Sequence, residues 1–498
     1  MKYHSTRDSA RLVSDAEAIV AGLAPDGGLF LPTEIPTLGA GELATLTGEA
    51  YDVRAARIMS KFLTSFSYDE LLSYTRLAYS KEKFPVSTAA PIVSPDGKTH
   101  ILELFHGPTC AFKDFALQML PYLLSASMKK TGVQEDVLIL VATSGDTGKA
   151  ALAGFAGVPN THICVFYPDG GVSHMQKLQM ITQEGENVMV SAVKGNFDDT
   201  QNGVKSIFSD GEYAKKLLAD GLRLSSANSI NWGRLVPQIA YYVSGYCDLC
   251  SQGVIKPGDE INVCVPTGNF GNILAGWFAK RMGLPIKTFV CASNSNNVLS
   301  DFIKTGVYDR IRPFYMTSSP SMDILISSNL ERLVSLLGAD DAQICAYMRA
   351  LRESGRYELS AELFEKLRAE FDCGFCDNKQ AAAAISAFYE KTGYVCDPHT
   401  AVALNVYEDY RKRSGDKTPV LLASTASPFK FPLSVLDALG ITCDGGDFAM
   451  LDALSAAAKT PAPAQLASLS GKTERFCGVC GKDEMRGVID GYIAGRAK

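Results

Sequence analysis

Nowhere in these 498 residues is there an apolar run of the roughly 18 to 20 residues that a membrane helix needs. Nor is there a basic block: 48 lysines and arginines face 54 acidic residues, a formal charge of −6, so neither nucleic acid nor an anionic membrane surface is favoured as a partner. The opening residues, Met1 to Asp8, lack the apolar core of a secretory signal, which sets the expectation of a cytoplasmic protein acting on small molecules. Cysteine is present but not arranged for cross-linking: thirteen is an odd number, scattered through helix-like and strand-like stretches, as reduced thiols are. Three pairs have C-x-x-C spacing (Cys247/Cys250, Cys373/Cys376 and Cys477/Cys480), yet they lie far apart, and Cys247-Asp248-Leu249-Cys250 falls in a helical pattern, so no metal is expected. Both G-x-G-x-x-G and G-x-x-x-x-G-K-[ST] are missing, which removes the dinucleotide fingerprint and the Walker loop.

What is present is enough apolar material, 46% of the chain, for more than one core. Residues 1–85 read as an accessory, mostly helical domain, with a short capped helix over Ser14 to Leu23 and helical patterning from Ala40 to Tyr79. From about Ala90 strands and helices alternate, the signature of parallel α/β architecture, so 86–498 form the main region. Strands are expected at Thr99–Leu104, Asp136–Thr143, Thr161–Tyr167, Asn187–Val193, Glu260–Pro266, Pro285–Ala292 and Thr418–Thr425. A helix is expected over Asp198–Ala219. The charged, helical section 323–377 reads as an insertion or outer layer rather than core sheet, and after Ser470 the pattern fades.

Lys113 is the organising residue. The strand Thr99–Leu104 alternates, Gly107-Pro108 forces a turn, and an amphipathic helix follows from Asp114, so the Lys113 amine stands at a strand-loop-helix junction beside Phe112. Burial there lowers a lysine pKa toward the neutral, nucleophilic form. Other loops repeat the strand-turn-helix design, which in an open α/β sheet lines the carboxyl edge, where ligands bind. Gly268-Asn269-Phe270-Gly271-Asn272 suits a phosphate at a helix start. Ser144-Gly145-Asp146-Thr147-Gly148 offers hydroxyls and N–H groups for a carboxylate, with Asp146 expected to turn aside as a helix cap. Asn228-Ser229-Ile230-Asn231-Trp232-Gly233-Arg234 packs amides, a hydroxyl and a guanidinium into seven residues, a set suited to a phosphate ester. Ser424-Thr425-Ala426-Ser427-Pro428 puts hydroxyls at a strand's end. Each loop alone fits a structural turn equally well; together they suit a ligand with several anionic groups and a lysine beside it.

These stretches, with His106-Gly107-Pro108-Thr109 and the N-terminal Pro25-Asp26-Gly27-Gly28-Leu29-Phe30, resemble threonine synthases of the long bacterial and fungal branch, and the resemblance runs through nearly the whole chain in order. It implies the tryptophan-synthase-beta-like fold of pyridoxal-phosphate enzymes (fold type II): two parallel-sheet lobes flanked by helices, plus a small mostly helical N-terminal domain. It implies pyridoxal 5'-phosphate as cofactor and conversion of O-phospho-L-homoserine and water to L-threonine and phosphate, by a monomer or homodimer. By position, Lys113 would hold the cofactor as a Schiff base beside Phe112, Gly268, Asn269, Phe270, Gly271 and Asn272 would hold its phosphate, and Thr425 would meet its ring nitrogen. Ser144, Gly145, Asp146, Thr147 and Gly148 would take the substrate carboxylate; Asn228, Ser229, Asn231 and Arg234 would take the substrate phosphate. Ser427 stands where many members carry histidine, and Phe429 where a small residue is usual. A same-fold phospho-lyase releasing a keto acid, and a non-catalytic binder of a phosphorylated metabolite, are the alternative readings.

Overall fold

Two parallel sheets carry the molecule. In the computed structural model, which describes residues 1–496, the larger sheet has six strands in the order Phe371–Phe375, Ile286–Ser293, Ile261–Pro266, Val420–Ser424, Thr99–Glu103, Ile92–Val93, parallel throughout except for the antiparallel edge strand Ile92–Val93. The smaller sheet runs Val479–Cys480, Val188–Val193, Thr161–Pro168, Asp136–Ala142, Leu222–Ser225, all parallel. The central strands are buried along nearly their whole length because helices cover both faces, so they are mostly apolar without polar alternation, His162 and Asn262 being buried exceptions. The last two residues of the 86–498 region lie outside the described residues.

The long helix Trp232–Ser251 is buried along nearly its whole length and joins the parts. Residues 1–85 pack on it. The Tyr3 and Phe62 rings lie 5.4 and 5.8 Å from that of Trp232, and the Arg54 guanidinium donates to Ser244 and, at 2.5 Å, to Asp248. Helices Ala40–Thr47, Tyr51–Phe62 and Tyr68–Ala78 make this segment mostly helical, as expected, but it also holds a three-stranded antiparallel sheet of Val13–Ser14, Lys2–Ser5 and Phe30–Pro32. Strands of two to four residues are too short to show alternation.

Three expectations need correction. Section 323–377 is not merely an outer layer: Phe371–Phe375 is an edge strand of the main sheet, and Arg332 is fully buried at its inner end. The tail beyond Ser470 is ordered into the edge strand Val479–Cys480 and the helix Met485–Arg496, which packs on the small sheet through Met485 and Ile489. Finally, Asp198–Ala219 is two helices, Phe197–Ser209 and Gly211–Ala219. Asp210 breaks the run by capping the second helix, its carboxylate accepting from the amides of Glu212 and Tyr213.

Candidate active site

Lys113 is the first residue of the helix Lys113–Leu117, beyond the carboxyl end of the strand Thr99–Glu103. Its loop is sewn to the neighbouring strand's end: the Phe112 amide donates to the Thr425 carbonyl (2.9 Å) and the Ser427 amide to the Cys110 carbonyl (3.1 Å). Within the loop, Asp114 accepts from the Thr109 amide (2.8 Å) and hydroxyl (2.7 Å), and Gly107 must lack a side chain because a Cβ would come within 2.5 Å of that carboxylate. The Lys113 side chain is thus held almost out of water, 9% exposed, with its amine 5.0 Å from the centre of the Phe112 ring.

The amine faces a carboxylate. Asp146 Oδ2 lies 3.5 Å from Lys113 Nζ, and Asp146 Oδ1 lies 2.5 Å from Lys430 Nζ. Asp146 also accepts from Gln176 (2.9 Å) and from the Ser321 hydroxyl (2.9 Å). It does not cap its helix, contrary to expectation. Gly145, at φ +126°, occupies the cap position of Asp146–Phe155, and the upstream Thr143 hydroxyl receives the Gly145 and Gly148 amides at 3.0 and 2.8 Å. Those two donors are therefore withdrawn from any carboxylate, which leaves the Ser144 and Thr147 end of the loop to meet a ligand.

Burial opposes ionisation of Asp146, but the charges of Lys430 and Lys113 outweigh it and hold the carboxyl well below the usual range. Burial is likewise the first influence on Lys113; the positive charges of Lys430 and Arg234 add to it against the pull of Asp146, and the amine is pushed down to about 8. The amine is thus buried and lowered toward its neutral form, as the junction suggested.

Several of these partners were not legible in the sequence. Ser321 Oγ is 3.3 Å from the Lys113 amine, and its backbone amide donates to His399 Nε2 (3.2 Å), whose Nδ1 is 2.6 Å from Asp397. Asp397-Pro398-His399-Thr400 reads in sequence only as a helix start; the structure adds an Asp-His pair that fixes the Ser321 turn. Lys430 follows Ser427-Pro428-Phe429 without any signal of its own.

Two further loops meet this cluster. Gly268 to Asn272 turns into the helix Gly271–Met282 through Phe270, whose φ of +60° costs a non-glycine residue on the order of 1–2 kcal/mol. Gly268 is needed for packing, since a Cβ there would stand 2.9 Å from the Ser321 carbonyl oxygen, and Gly271 leaves room for the Asn329 side chain, whose Nδ2 would lie 3.3 Å from a Cβ. Asn272 Oδ1 accepts from Tyr241 (2.7 Å) and Tyr242 (2.5 Å), so its Nδ2 is fixed as a buried donor, and that donor has no partner among the described residues. Asn269 offers its carbonyl to the Asn329 side chain (3.0 Å).

The Asn228–Arg234 loop is held from behind by Arg332, which donates to the carbonyls of Ser229 (3.2 Å), Ile230 (2.6 Å) and Phe30 (3.0 Å). Asn329 Nδ2 donates to Ser229 Oγ (3.0 Å). Asn231 is a correction to the binding set: its Oδ1 caps the helix at Gly233 (2.9 Å) and its Nδ2 donates to Ile19 (3.1 Å) and Ser226 (3.3 Å) carbonyls, so no polar atom is left for a ligand. Arg234 is different. It is 5% exposed, donates to the Ala227 carbonyl (2.7 Å), and has no carboxylate partner among the described residues; burial lowers it to about 10. A buried guanidinium without a counter-ion is strongly disfavoured unless an anion joins it. The Thr425 hydroxyl, 5% exposed as a residue, also has no partner among the described residues.

Known proteins match along the chain. The family described as "Threonine synthase N terminus" matches residues 2–79, "Pyridoxal-phosphate dependent enzyme" residues 100–425, and "Threonine synthase, C-terminal" residues 400–488. Human "Threonine synthase-like 1" is 44% identical over 438 residues, 86% of this chain but only 58% of that protein's length. Threonine synthase of Pseudomonas aeruginosa is 37% identical over 440 residues, 87% of this chain and 90% of its own. The crystal structure of pyridoxal-phosphate-bound threonine synthase from Brucella melitensis superposes with a TM-score of 0.86 at 37% identity, covering 99% of both chains. With the lysine, the phosphate-suited helix start and the two-sheet architecture all in the family's order, the chain belongs to the threonine synthase family of pyridoxal-phosphate-dependent enzymes, and pyridoxal phosphate is its cofactor.

Proposed function

We propose that the protein converts O-phospho-L-homoserine and water to L-threonine and phosphate. The observation that carries this reading is Arg234: a buried guanidinium without a carboxylate, close enough for its charge to depress the Lys113 amine, on a loop separate from the Gly268–Asn272 helix start. One anion site then serves the cofactor and another serves the phosphate of the substrate.

The residues fit the cofactor. Lys113 supplies the amine for its aldehyde, the unpartnered Nδ2 of Asn272 and the start of the helix Gly271–Met282 suit its phosphate, and the free Thr425 hydroxyl suits its ring nitrogen. When bound, pyridoxal phosphate provides the conjugated system that spreads the negative charge left by proton removal. The protein's own groups do the rest. Ser144 and Thr147 orient the substrate carboxylate; Asn228, Ser229 and Arg234 grip its phosphate and stabilise the charge that grows there as the Cγ–O bond breaks. Once released from the cofactor, the Lys113 amine is neutral over much of the range above pH 8 and takes protons from Cα and then Cβ. Phosphate leaves Cγ, a proton is returned to Cγ, water places its hydroxyl on Cβ while its remaining proton neutralises the departed phosphate, and Cα is reprotonated. Asp146, locked as a carboxylate by Lys430, stabilises the ammonium that Lys113 becomes each time it takes a proton.

One competing outcome is elimination of phosphate with release of a keto acid. Incubation of the holoenzyme with O-phospho-L-homoserine separates the two: threonine and phosphate appearing in equal amounts support the proposal, and phosphate accompanied by a keto acid overturns it.

A further inference from the structure

A cavity of about 210 Å³ lies apart from the groups assigned above, and none of the residues given to cofactor or substrate lines it. Its walls include Pro108, Lys149, Gln183, Glu184 and Lys472, with residues 465–469 closing one side. Two lysines from distant parts of the chain thus meet around a space below the size of an ordinary drug-like pocket.

Their charges are unevenly compensated. Lys472 pairs with Glu184 at 3.0 Å, but these side chains are 40% and 77% exposed, so water screens that pair. Lys149 has only a neutral acceptor, Gln183 Oε1 at 2.6 Å, and no carboxylate forms an ion pair with it among the described residues. Burial and then the charge of Lys472 push the Lys149 amine down to about 8, with Lys430 acting the same way and Asp114 and Cys110 against it. A partly buried ammonium repelled by its neighbour gains from an anion that touches both.

We infer that this cavity is a binding site for a small phosphate-like dianion, held between Lys149 and Lys472. Its placement couples it to catalysis. Lys149 directly follows Gly148 of the substrate-carboxylate loop, and Pro108 belongs to the loop that ends at Lys113, so an occupant braces both. The site goes beyond the proposed reaction and does not depend on it.

Inorganic phosphate titrated into the holoenzyme at pH 7 by calorimetry tests the inference. Two equivalents per chain are expected, one at this cavity and one at the Arg234 loop. In Lys149→Met the first should weaken about tenfold or more, the loss of a charge-assisted contact, while the second persists. Lys472→Met, at an exposed position that should not disturb folding, should weaken the same equivalent. Arg234→Met should remove only the other. Phosphate binding confined to the equivalent lost in Arg234→Met, or absent altogether, overturns the cavity site. A single equivalent lost in the lysine variants alone upholds it and counts instead against the assigned role of Arg234.

Discussion

Asp146 joins two lysines from opposite ends of the catalytic region: one carboxylate oxygen lies 2.5 Å from Lys430 Nζ and the other 3.5 Å from Lys113 Nζ. Lys430 is fully buried and also donates to the Thr109 carbonyl at 3.0 Å, so it is a fixed counter-charge rather than a surface lysine. Asp146 therefore has a permanent partner in Lys430, and its hold on the Lys113 amine is loose.

Lys430→Met should be costly. Removing one partner of a buried ion pair leaves the other charge unpaired, a loss of about 3–5 kcal/mol. Chemical denaturation should show it, and because Lys430 also repels the Lys113 proton, the amine's pKa should move above its value of about 8. Unchanged stability together with an unchanged amine pKa would mean that Lys430 does not set the charge of the site.

The pH dependence of the cofactor-free protein follows from Lys113. Its pKa is about 8 when folded against an ordinary 10.5, so between those values the unfolded chain binds more protons and folding stability rises with pH. Below pH 8 both states carry the proton and the contribution is flat. Attachment of pyridoxal phosphate needs the neutral amine, so its rate, followed by absorbance, should climb as pH rises toward 8 and level off above it. Lys113→Met should lose attachment altogether and show a smaller rise of stability, the remainder coming from Lys149, which is likewise lowered to about 8, and a wild-type attachment rate that falls across this interval would contradict the assignment.

Arg234→Ala should lower kcat/KM by roughly 10- to 1,000-fold, since charge-assisted hydrogen bonds are worth about 1.5–3 kcal/mol each. The phosphate it holds is also the leaving group, so kcat should fall as KM rises. Cofactor content should hardly change. Loss of pyridoxal phosphate, with normal turnover after resaturation, would move this arginine to the cofactor.

Asn272→Ala removes the unpartnered donor at the start of the helix Gly271–Met282. Cofactor retention through dialysis should drop, with dissociation about tenfold or more faster. Because Tyr241 and Tyr242 lose their acceptor as well, thermal unfolding of the cofactor-free variant measures the structural share of the loss. Retention equal to wild type would show that the Asn272 amide does not face the cofactor phosphate.

Much of this is legible in the sequence because local chemistry announces itself. The strand run 136–143 is continuous and apolar, 161–167 and 260–266 are mostly so, and the loops after them carry glycine at turns where a Cβ would collide. What escaped depends on distance along the chain. Ser321 reaches Lys113 across 208 positions, and Arg332 secures Ser229 across 103, contacts for which a single sequence has no periodicity or spacing to offer. Asn231 was misassigned for the opposite reason: an amide before a helix fits both capping and ligand binding, and only its bonds to Ile19, Ser226 and Gly233 decide. The strands Leu222–Ser225 and Val479–Cys480 are too short to stand out and exist because a sheet edge was there to pair with.

The most direct test of the proposed reaction is the fate of solvent oxygen. Holoenzyme turning over O-phospho-L-homoserine in water enriched in heavy oxygen should yield threonine carrying one solvent oxygen on Cβ and phosphate carrying none, because the Cγ–O bond is the one that breaks and water attacks carbon. Label in the phosphate with homoserine as co-product would mean attack at phosphorus, and a keto acid in place of threonine would mean elimination without water addition at Cβ; either result would contradict the account.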